Sequence, residues 1–393
     1  MPRLLRPVAL AATLAALLAG DLLPAAGQSS MFGVRGLGLP GRPLTPRSRA
    51  TAGSFGLFDG ESDLNPATLP NLRSVAAGFV MAPNWRSWQS PAGDASLRET
   101  RFPLVYVGGP VPHTRLGLGI AIGSYADRDF RLATTDTVNL RGAPVAVFDT
   151  LKSLGGLNEV RFAAGLQLGG KTSVGVGVHW ITGSNRLESR RAFEDTTFIS
   201  FRQTAELSYQ GVGFSAGLTH QLSPKVQLAL TLRSDGKASV DLDSAHAYSI
   251  DLPVSVGAGA LIRATPRLTL ATSGQYRTWS AANSDLQARG GVGAENTLEV
   301  NLGGEYIRNT RRPSTLPLRA GLRFAQLPFP IQAGKRPREW SLSAGTGTRF
   351  AQDRAGVDLA LEHAWRSEGG AYRERAFSII LGLSIRPYGG GGR

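Results

Sequence analysis

Gly213-Phe214-Ser215-Ala216-Gly217 spells G-x-S-x-G, the spacing that in hydrolases exposes a nucleophilic serine on a sharp strand-to-helix turn. Here Val212, Phe214, Ala216 and Leu218 alternate with Gly211, Gly213, Ser215 and Gly217. Such alternation is a strand, so Ser215 is expected to face a lumen, opposite Phe214, and not to sit at an elbow. Gly36-Leu37-Gly38-Leu39-Pro40-Gly41 matches G-x-G-x-x-G, yet no strand precedes it and Pro40 falls inside the loop. A flexible segment is expected there, not a dinucleotide site. His113, His179, His220, His246 and His363 are scattered, with no i, i+4 pair to hold a metal. The carboxylates are equally dispersed, so no acid/base pair stands out. The chain has no cysteine, which excludes thiol catalysis, disulfides and Cys-ligated zinc. No enzyme, metal or cofactor is expected.

The elements explain what the motifs do not. Val174, Val176, Val178 and Trp180 alternate with Ser173, Gly175, Gly177 and His179. Val226, Leu228, Leu230 and Leu232 repeat the pattern, as do Leu298, Val300 and Leu302, then Phe377, Ile379, Leu381, Leu383 and Ile385. Each segment has one apolar face and one face of Gly, Ser, Thr and charge. Short turns are expected at 169–171, 223–225, 265–267 and 352–354, and long polar loops near 126–157, 186–200, 282–295, 309–316 and 328–338. Short turns at one end and long loops at the other predict an all-β fold: a transmembrane antiparallel barrel of about 14 strands. Trp180, Trp279, Tyr306 and Trp365 at strand ends are expected in an aromatic girdle. A soluble sandwich would also alternate, but its polar faces would have to include a second packed core.

Composition agrees. Gly is 49 of 393 residues, against about 7% on average, and charged residues are 18% against about 25%. Mean hydropathy is −0.08, too polar for a bundle of membrane helices. Residues 1–27 read as a secretory signal peptide: Arg3 and Arg6, then an apolar run, then small residues at Ala25 and Gly27. A bacterial cell outer membrane location follows, after export through the inner membrane. Residues 28–71 do not alternate and are rich in Gly, Pro and Arg, which suits a plug (hatch) inside the lumen. The barrel is expected over 72–388, with a Gly-rich tail at 389–393.

The formal net charge is +14. Arg35, Arg42, Arg47 and Arg49 crowd the hatch, while Arg186, Arg190, Arg191, Arg311 and Arg312 fall in expected loops. The loop arginines suit the phosphates of surface glycolipid, and a hatch arginine could attract a carboxylate head group. No aromatic stacking platform accompanies the charge, so nucleic acid is not an expected partner.

Asp59, Ser62 and Asn65-Pro66-Ala67 occur in that order before the first strand. Leu252-Pro253 opens a Gly-rich strand that turns at Thr265-Pro266-Arg267 into one ending Arg277-Thr278-Trp279-Ser280. Leu318-Arg319-Ala320-Gly321-Leu322-Arg323-Phe324 precedes Pro328-Phe329-Pro330, and Ser343-Ala344-Gly345-Thr346-Gly347 opens a further strand pair. This ordered set resembles the FadL-type outer-membrane transporters of long-chain fatty acids and other hydrophobic compounds. One departure is Thr68, where that family usually has Gly. The resemblance implies passive uptake of a hydrophobic small molecule, with the hatch shaping a pocket.

In such a hatch, Asn65, Pro66 and Ala67 form a fixed turn, because Pro66 locks its own φ and pushes Asn65 to an extended conformation. Phe55, Leu57, Phe58 and Leu64 must pack on the inner wall or line a cavity for an elongated ligand. Arg47 or Arg49 is the expected carboxylate partner at its mouth. Further partners are membrane lipid, surface glycolipid and, during biogenesis, the barrel-assembly machinery. The alternative is a structural or scaffold barrel acting with a partner protein, for example a secretion accessory. An apolar pocket beside the hatch would favour the transporter.

Overall fold

The computed structural model describes residues 30–386, other than 63, 92, 289–290 and 312–313. Fourteen strands close a barrel within one antiparallel sheet of eighteen described strands. In chain order they are β1 (Ala76–Ser90), β2 (Gly93–Pro110), β3 (Leu116–Asp127), β4 (Ala143–Leu168), β5 (Thr172–Phe193), β6 (Phe201–Gln221) and β7 (Val226–Ser234). Then come β8 (Val254–Arg263), β9 (Leu268–Arg277), β10 (Thr297–Tyr306), β11 (Leu318–Gln326), β12 (Arg338–Phe350), β13 (Ala355–Glu368) and β14 (Tyr372–Ile385). Each pairs with its neighbour in sequence. β14 returns to β1, from Arg373↔Gln89 to Ile385↔Ala77, and closes the cylinder.

The outer face is apolar all the way round. Val176, Val178, Phe162, Phe214, Leu230, Leu302 and Leu342 are exposed there, while Gly175, His179, Arg161 and Ser215 of the same strands point inward and are buried. No second protein layer covers that belt, so it is the surface that meets hydrocarbon.

The expected turns at 169–171, 223–225, 265–267 and 352–354 lie at one end, with the start of β1 and the end of β14. The connection at 309–316 also lies at this end, contrary to expectation. β10 and β11 alternate in direction with their neighbours, so whatever joins them must lie beside the short turns. Arg311 is therefore at the wrong end for surface glycolipid, and Arg312 falls outside the described residues. The stretches 126–157 and 186–200 are mostly strand, not loop. Phe130–Leu140 pairs with 143–153 of β4, and β4, β5 and β6 run on far above the other strands. The hairpin Lys237–Leu242 and Ala245–Asp251 extends β6 on its other side.

Trp180, Tyr306 and Trp365 are exposed on the outer face. Trp279 is not. It lies past the end of β9 in a short 3-10 turn and is only 2% exposed, edge-on to Phe329 at 5.1 Å. These two rings join Leu37, Ile181, Tyr209, Ile250 and Leu252 in a buried apolar cluster that fills the long-loop end. The first strand begins at Ala76, later than 72, because a 3-10 turn (Pro66–Asn71) and a bent stretch intervene. The signal segment 1–27 and the tail 389–393 lie outside the described residues.

Candidate functional site

Residues 30–75 run through the cylinder against its inner wall. At the long-loop end Ser30 Oγ donates to Glu374 of β14, at 2.7 and 2.9 Å. A five-residue helix α1 (Pro46–Ala50) follows, capped by Thr45, whose hydroxyl accepts from Ser48 N at 3.2 Å. The Asp59 carboxylate gathers this segment, accepting from the hydroxyls of Thr45, Ser48 (2.8 Å) and Ser62 (2.9 Å). Asp59 and Ser62 thus tie one turn of backbone to another.

Asn65 has the extended backbone expected before proline, φ −131° and ψ 107°. Its side-chain oxygen accepts from Ala67 N at 3.1 Å and its amide donates to Leu57 O at 3.0 Å. Thr68 Oγ1 donates to Asn65 O at 2.6 Å and is buried, so the turn closes without glycine. Three inward glycines form the floor under this turn. A Cβ on Gly165 would lie 2.6 Å from Pro66 O, on Gly175 2.5 Å from Ala67 N, and on Gly217 2.1 Å from Asn65 Oδ1. The G-x-S-x-G motif thus contributes its last glycine to packing.

Three of the four apolar residues before the turn meet the wall, and the fourth, Leu64, packs near Gly56 of the same segment. Phe55 is buried against Leu261 and Ala271, with Phe58 alongside. Leu57 lies over Gly257 and Gly259. Leu57 and Leu64 flank a small cavity of about 60 Å³. Phe58 borders a large one, about 1130 Å³, at the short-turn end.

Ion pairs fill much of the remaining lumen. Glu362 of β13 accepts from Arg42 (3.0 Å) and Arg49 (2.8 Å), and Glu305 of β10 from Arg47 (2.8 Å) and Arg319 (2.7 Å). Arg323 joins Glu299 to Glu339, and Arg366 joins Glu339 to Glu374. Arg47 and Arg49, the expected carboxylate partners, are therefore both already paired with glutamates. Burial alone would lower the Arg47 pKa, but Glu305 more than offsets it and the net direction is upward.

The sequence did not place Glu159, His179 and Ser215 together. Ser215 Oγ is 2.8 Å from His179 Nε2, and His179 Nδ1 is 3.3 Å from Glu159, which Arg233 also contacts. The spacing is that of a nucleophile, base and orienting acid. The setting is wrong for acyl transfer. Ser215 sits mid-strand with its neighbours' backbone donors committed to the ladder, and the adjoining cavity of about 60 Å³ admits water but no ester. The triad acts as a cross-strand polar tie. Its sequence signal is Gly177, where a Cβ would lie 2.7 Å from Ser215 Oγ.

The wall itself is interrupted at one place. β2 pairs with β3 only from Leu104↔Gly123 to Pro110↔Gly117. Above that, 93–101 of β2 pair with β1 alone, and of the barrel strands only β4 pairs with the upper part of β3. Pro103 explains the break: it has no N–H to donate, and the β1 ladder shifts register beside it, between Val80 and Ala82. The N-terminal segment enters this gap as a two-residue strand, Leu39↔Asp127 and Pro40↔Ala126. Gly41 N donates to Tyr125 O at 2.8 Å. Gly38 is required here, because its φ is +97° and a Cβ would sit 2.2 Å from Asp127 O.

A cavity of about 300 Å³ lies behind the gap, bordered by both rims. Leu39, Pro40, Phe102, Pro103, Trp279 and Leu327 supply its apolar lining, facing Arg42, Arg49 and Arg323 with their partners Glu362, Glu299 and Glu339. Asp129, on the β3 rim, bonds Gly155 N and Arg101; burial pushes its carboxyl above the usual range.

A closed, lipid-belted cylinder of fourteen strands with a segment threaded through its lumen defines an outer-membrane barrel of the FadL type. Three solved structures share the fold. A Pseudomonas aeruginosa FadL homologue matches with a TM-score of 0.62 at 13% identity, over 88% of this chain and 99% of its own. The CymD monoaromatic hydrocarbon channel matches with 0.56 at 17%, over 88% and 98%. The Pseudomonas putida toluene transporter TodX matches with 0.55 at 14%, over 89% and 100%. Two of the three are titled a channel and a transporter. A comparison with curated proteins finds no match. The BamG family model matches residues 25–251, more than half of the chain, and the chain belongs to the BamG family. Its place is the bacterial outer membrane.

Proposed function

We propose that the protein is a passive outer-membrane channel for hydrophobic molecules such as long-chain fatty acids, with residues 28–71 as its hatch. The observation that carries this reading is the interrupted wall between β2 and β3, with a cavity behind it and a two-residue strand within it. An apolar molecule leaving the cavity sideways enters the bilayer without crossing bulk water, which removes the main barrier to its transfer. The cavity combines apolar walls with arginines already paired to carboxylates, so it suits an apolar body with a small polar end. The neighbours' titles, which name a monoaromatic hydrocarbon channel and a toluene transporter, support transport of this class.

Uptake of labelled oleate and toluene tests this reading, in cells expressing the barrel and in cells with an empty vector, after collapse of the proton-motive force. Faster uptake with the barrel is the expected result. Equal uptake of both probes overturns the transport reading.

A second reading, a scaffold barrel serving a partner protein, is favoured by the ion pairs that fill the lumen and by the apolar cluster that seals its long-loop end. The family's name points towards the barrel-assembly machinery, which supports the same reading. Equal uptake, together with co-purification of assembly components, would favour it.

A further inference from the structure

Inside the barrel, arginines such as Arg42, Arg319, Arg323 and Arg366 have carboxylate partners. On the outer face a different set stands without any. Arg338, Arg373 and Arg375 are exposed and make no ion pair among the described residues. The register brings them together. One row across β12, β13, β14, β1 and β2 reads Arg338, Ser367, Arg373, Gln89, Asp94. The row below reads Trp340, Trp365, Arg375, Ser87, Ser96, and the next Leu342, His363, Phe377, Trp85, Arg98.

These rows grade from charge to hydrocarbon. Same-face rows are about 7 Å apart along the strands, so the arginines stand just above the rings. Trp85 and Phe377 lie 6.0 Å apart, His363 and Trp365 4.4 Å, and Arg98 stacks over Trp85 at 5.3 Å. Aromatic rows of this kind mark the boundary between acyl chains and head groups. At that boundary a groove of about 440 Å³ is lined by Ser87, Gln89, Ser96, Arg373 and Arg375, with Trp88, Ala95 and Asp94 beside them. Asp94 is the one acidic group on its rim, and it is hydrogen-bonded by Gln89 at 3.5 Å.

We propose that this groove binds a phosphorylated glycolipid of the outer leaflet. Arg373 and Arg375 pair its phosphate, Ser87 and Ser96 donate to its sugar oxygens, and its acyl chains lie over Phe377, Trp85 and Trp365. Two guanidinium groups held on one rigid sheet present forked donors that match a phosphate, and their charge is otherwise uncompensated. The groove lies at the long-loop end, opposite the short turns, the start of β1 and the end of β14. It is independent of the transport path.

The test uses the full chain, purified in detergent, and native mass spectrometry with a bisphosphorylated lipid A and its dephosphorylated form. Retention of the phosphorylated form at least about tenfold better is expected, since one charge-assisted phosphate pairing is worth about that much. R373Q/R375Q should erase the preference, while R373K/R375K keeps part of it. R131Q/R190Q, on the tall strands elsewhere, should leave it intact. Heat-modifiable gel mobility verifies that each variant is a folded barrel. Equal retention of the two lipids by the native chain overturns the proposal. An undiminished preference in a folded R373Q/R375Q variant overturns it too.

Discussion

Arg101, on the β2 rim of the wall gap, forms an ion pair across it with Asp127 on the β3 rim. Among the described residues no backbone ladder joins the two rims at this level, so the ion pairs of Arg101 bridge them, while the Leu39–Pro40 strand pairs with the β3 rim alone. Arg101 also reaches Asp129 at 3.4 Å and Glu99 at 3.0 Å, and it is largely buried.

Replacing Arg101 with Gln keeps much of the side chain's bulk and removes the charge. Entry of a hydrophobic fluorescent probe into intact cells is expected to rise several-fold. The barrel should remain folded, because the β2 residues below the gap keep their ladder with β3. Unchanged entry of the probe would show that the pair is not a latch.

The absence of cysteine allows a cleaner experiment. Leu39 and Asp127 are register partners, and directly opposed residues on antiparallel strands have Cα atoms about 4.5–5.5 Å apart, within disulfide reach. L39C/D127C should cross-link spontaneously in the oxidising envelope. Uptake of hydrophobic substrate is expected to fall to background when oxidised and to recover with reductant. Equal uptake in both states would mean that the strand need not move.

Gly175 tests the floor beneath the Asn65-Pro66-Ala67 turn. A β-carbon there meets Ala67 N and Pro66 C at 2.5 Å, and both are backbone atoms that cannot swing aside. Gly175→Val should destabilise the barrel by about 1–3 kcal/mol, the usual cost of overpacking. Gly170, with nothing near its Cβ, is the matched control. The melting temperature of the heat-modifiable form reads the difference.

Much of this fold was legible because a strand has a period of two. Val174 to Trp180 declare both faces of β5 without reference to any partner. The extent of the hatch contacts was half legible: Asn65-Pro66-Ala67 announces a turn, but only the assembled wall shows that Gly165, Gly175 and Gly217 lie beneath it. Trp279 misled because an aromatic at a strand end reads alike whether the chain next turns outward to lipid or inward to Phe329. The Glu159–His179–Ser215 tie and the arginine lattice join residues up to hundreds of positions apart, and no local pattern encodes such pairings. The wall gap had one visible sign, Pro103 inside an otherwise alternating run.

Glu362 ties two arginines of the threaded segment to the barrel wall. It is buried, and its two carboxylate oxygens serve the guanidinium groups of both Arg42 and Arg49 of the N-terminal segment. Within the threaded segment, burial and the nearby Arg323 lower the Arg42 pKa to about 10, so this charge is held at a cost that Glu362 offsets. Glu362→Gln preserves shape and leaves two buried cations facing one neutral amide. Breaking a buried pair from one side costs about 3–5 kcal/mol. Part of that cost can be relieved if the segment leaves the wall, taking Arg42 and Arg49 into water. The variant is therefore expected to melt earlier and to show faster proteolysis between Arg35 and Arg49, while β1 to β14 stay resistant. Adding Arg49→Gln restores part of the balance and should recover part of the melting temperature. If the double variant melts below the single one, the two arginines do not share Glu362 in the way their geometry indicates.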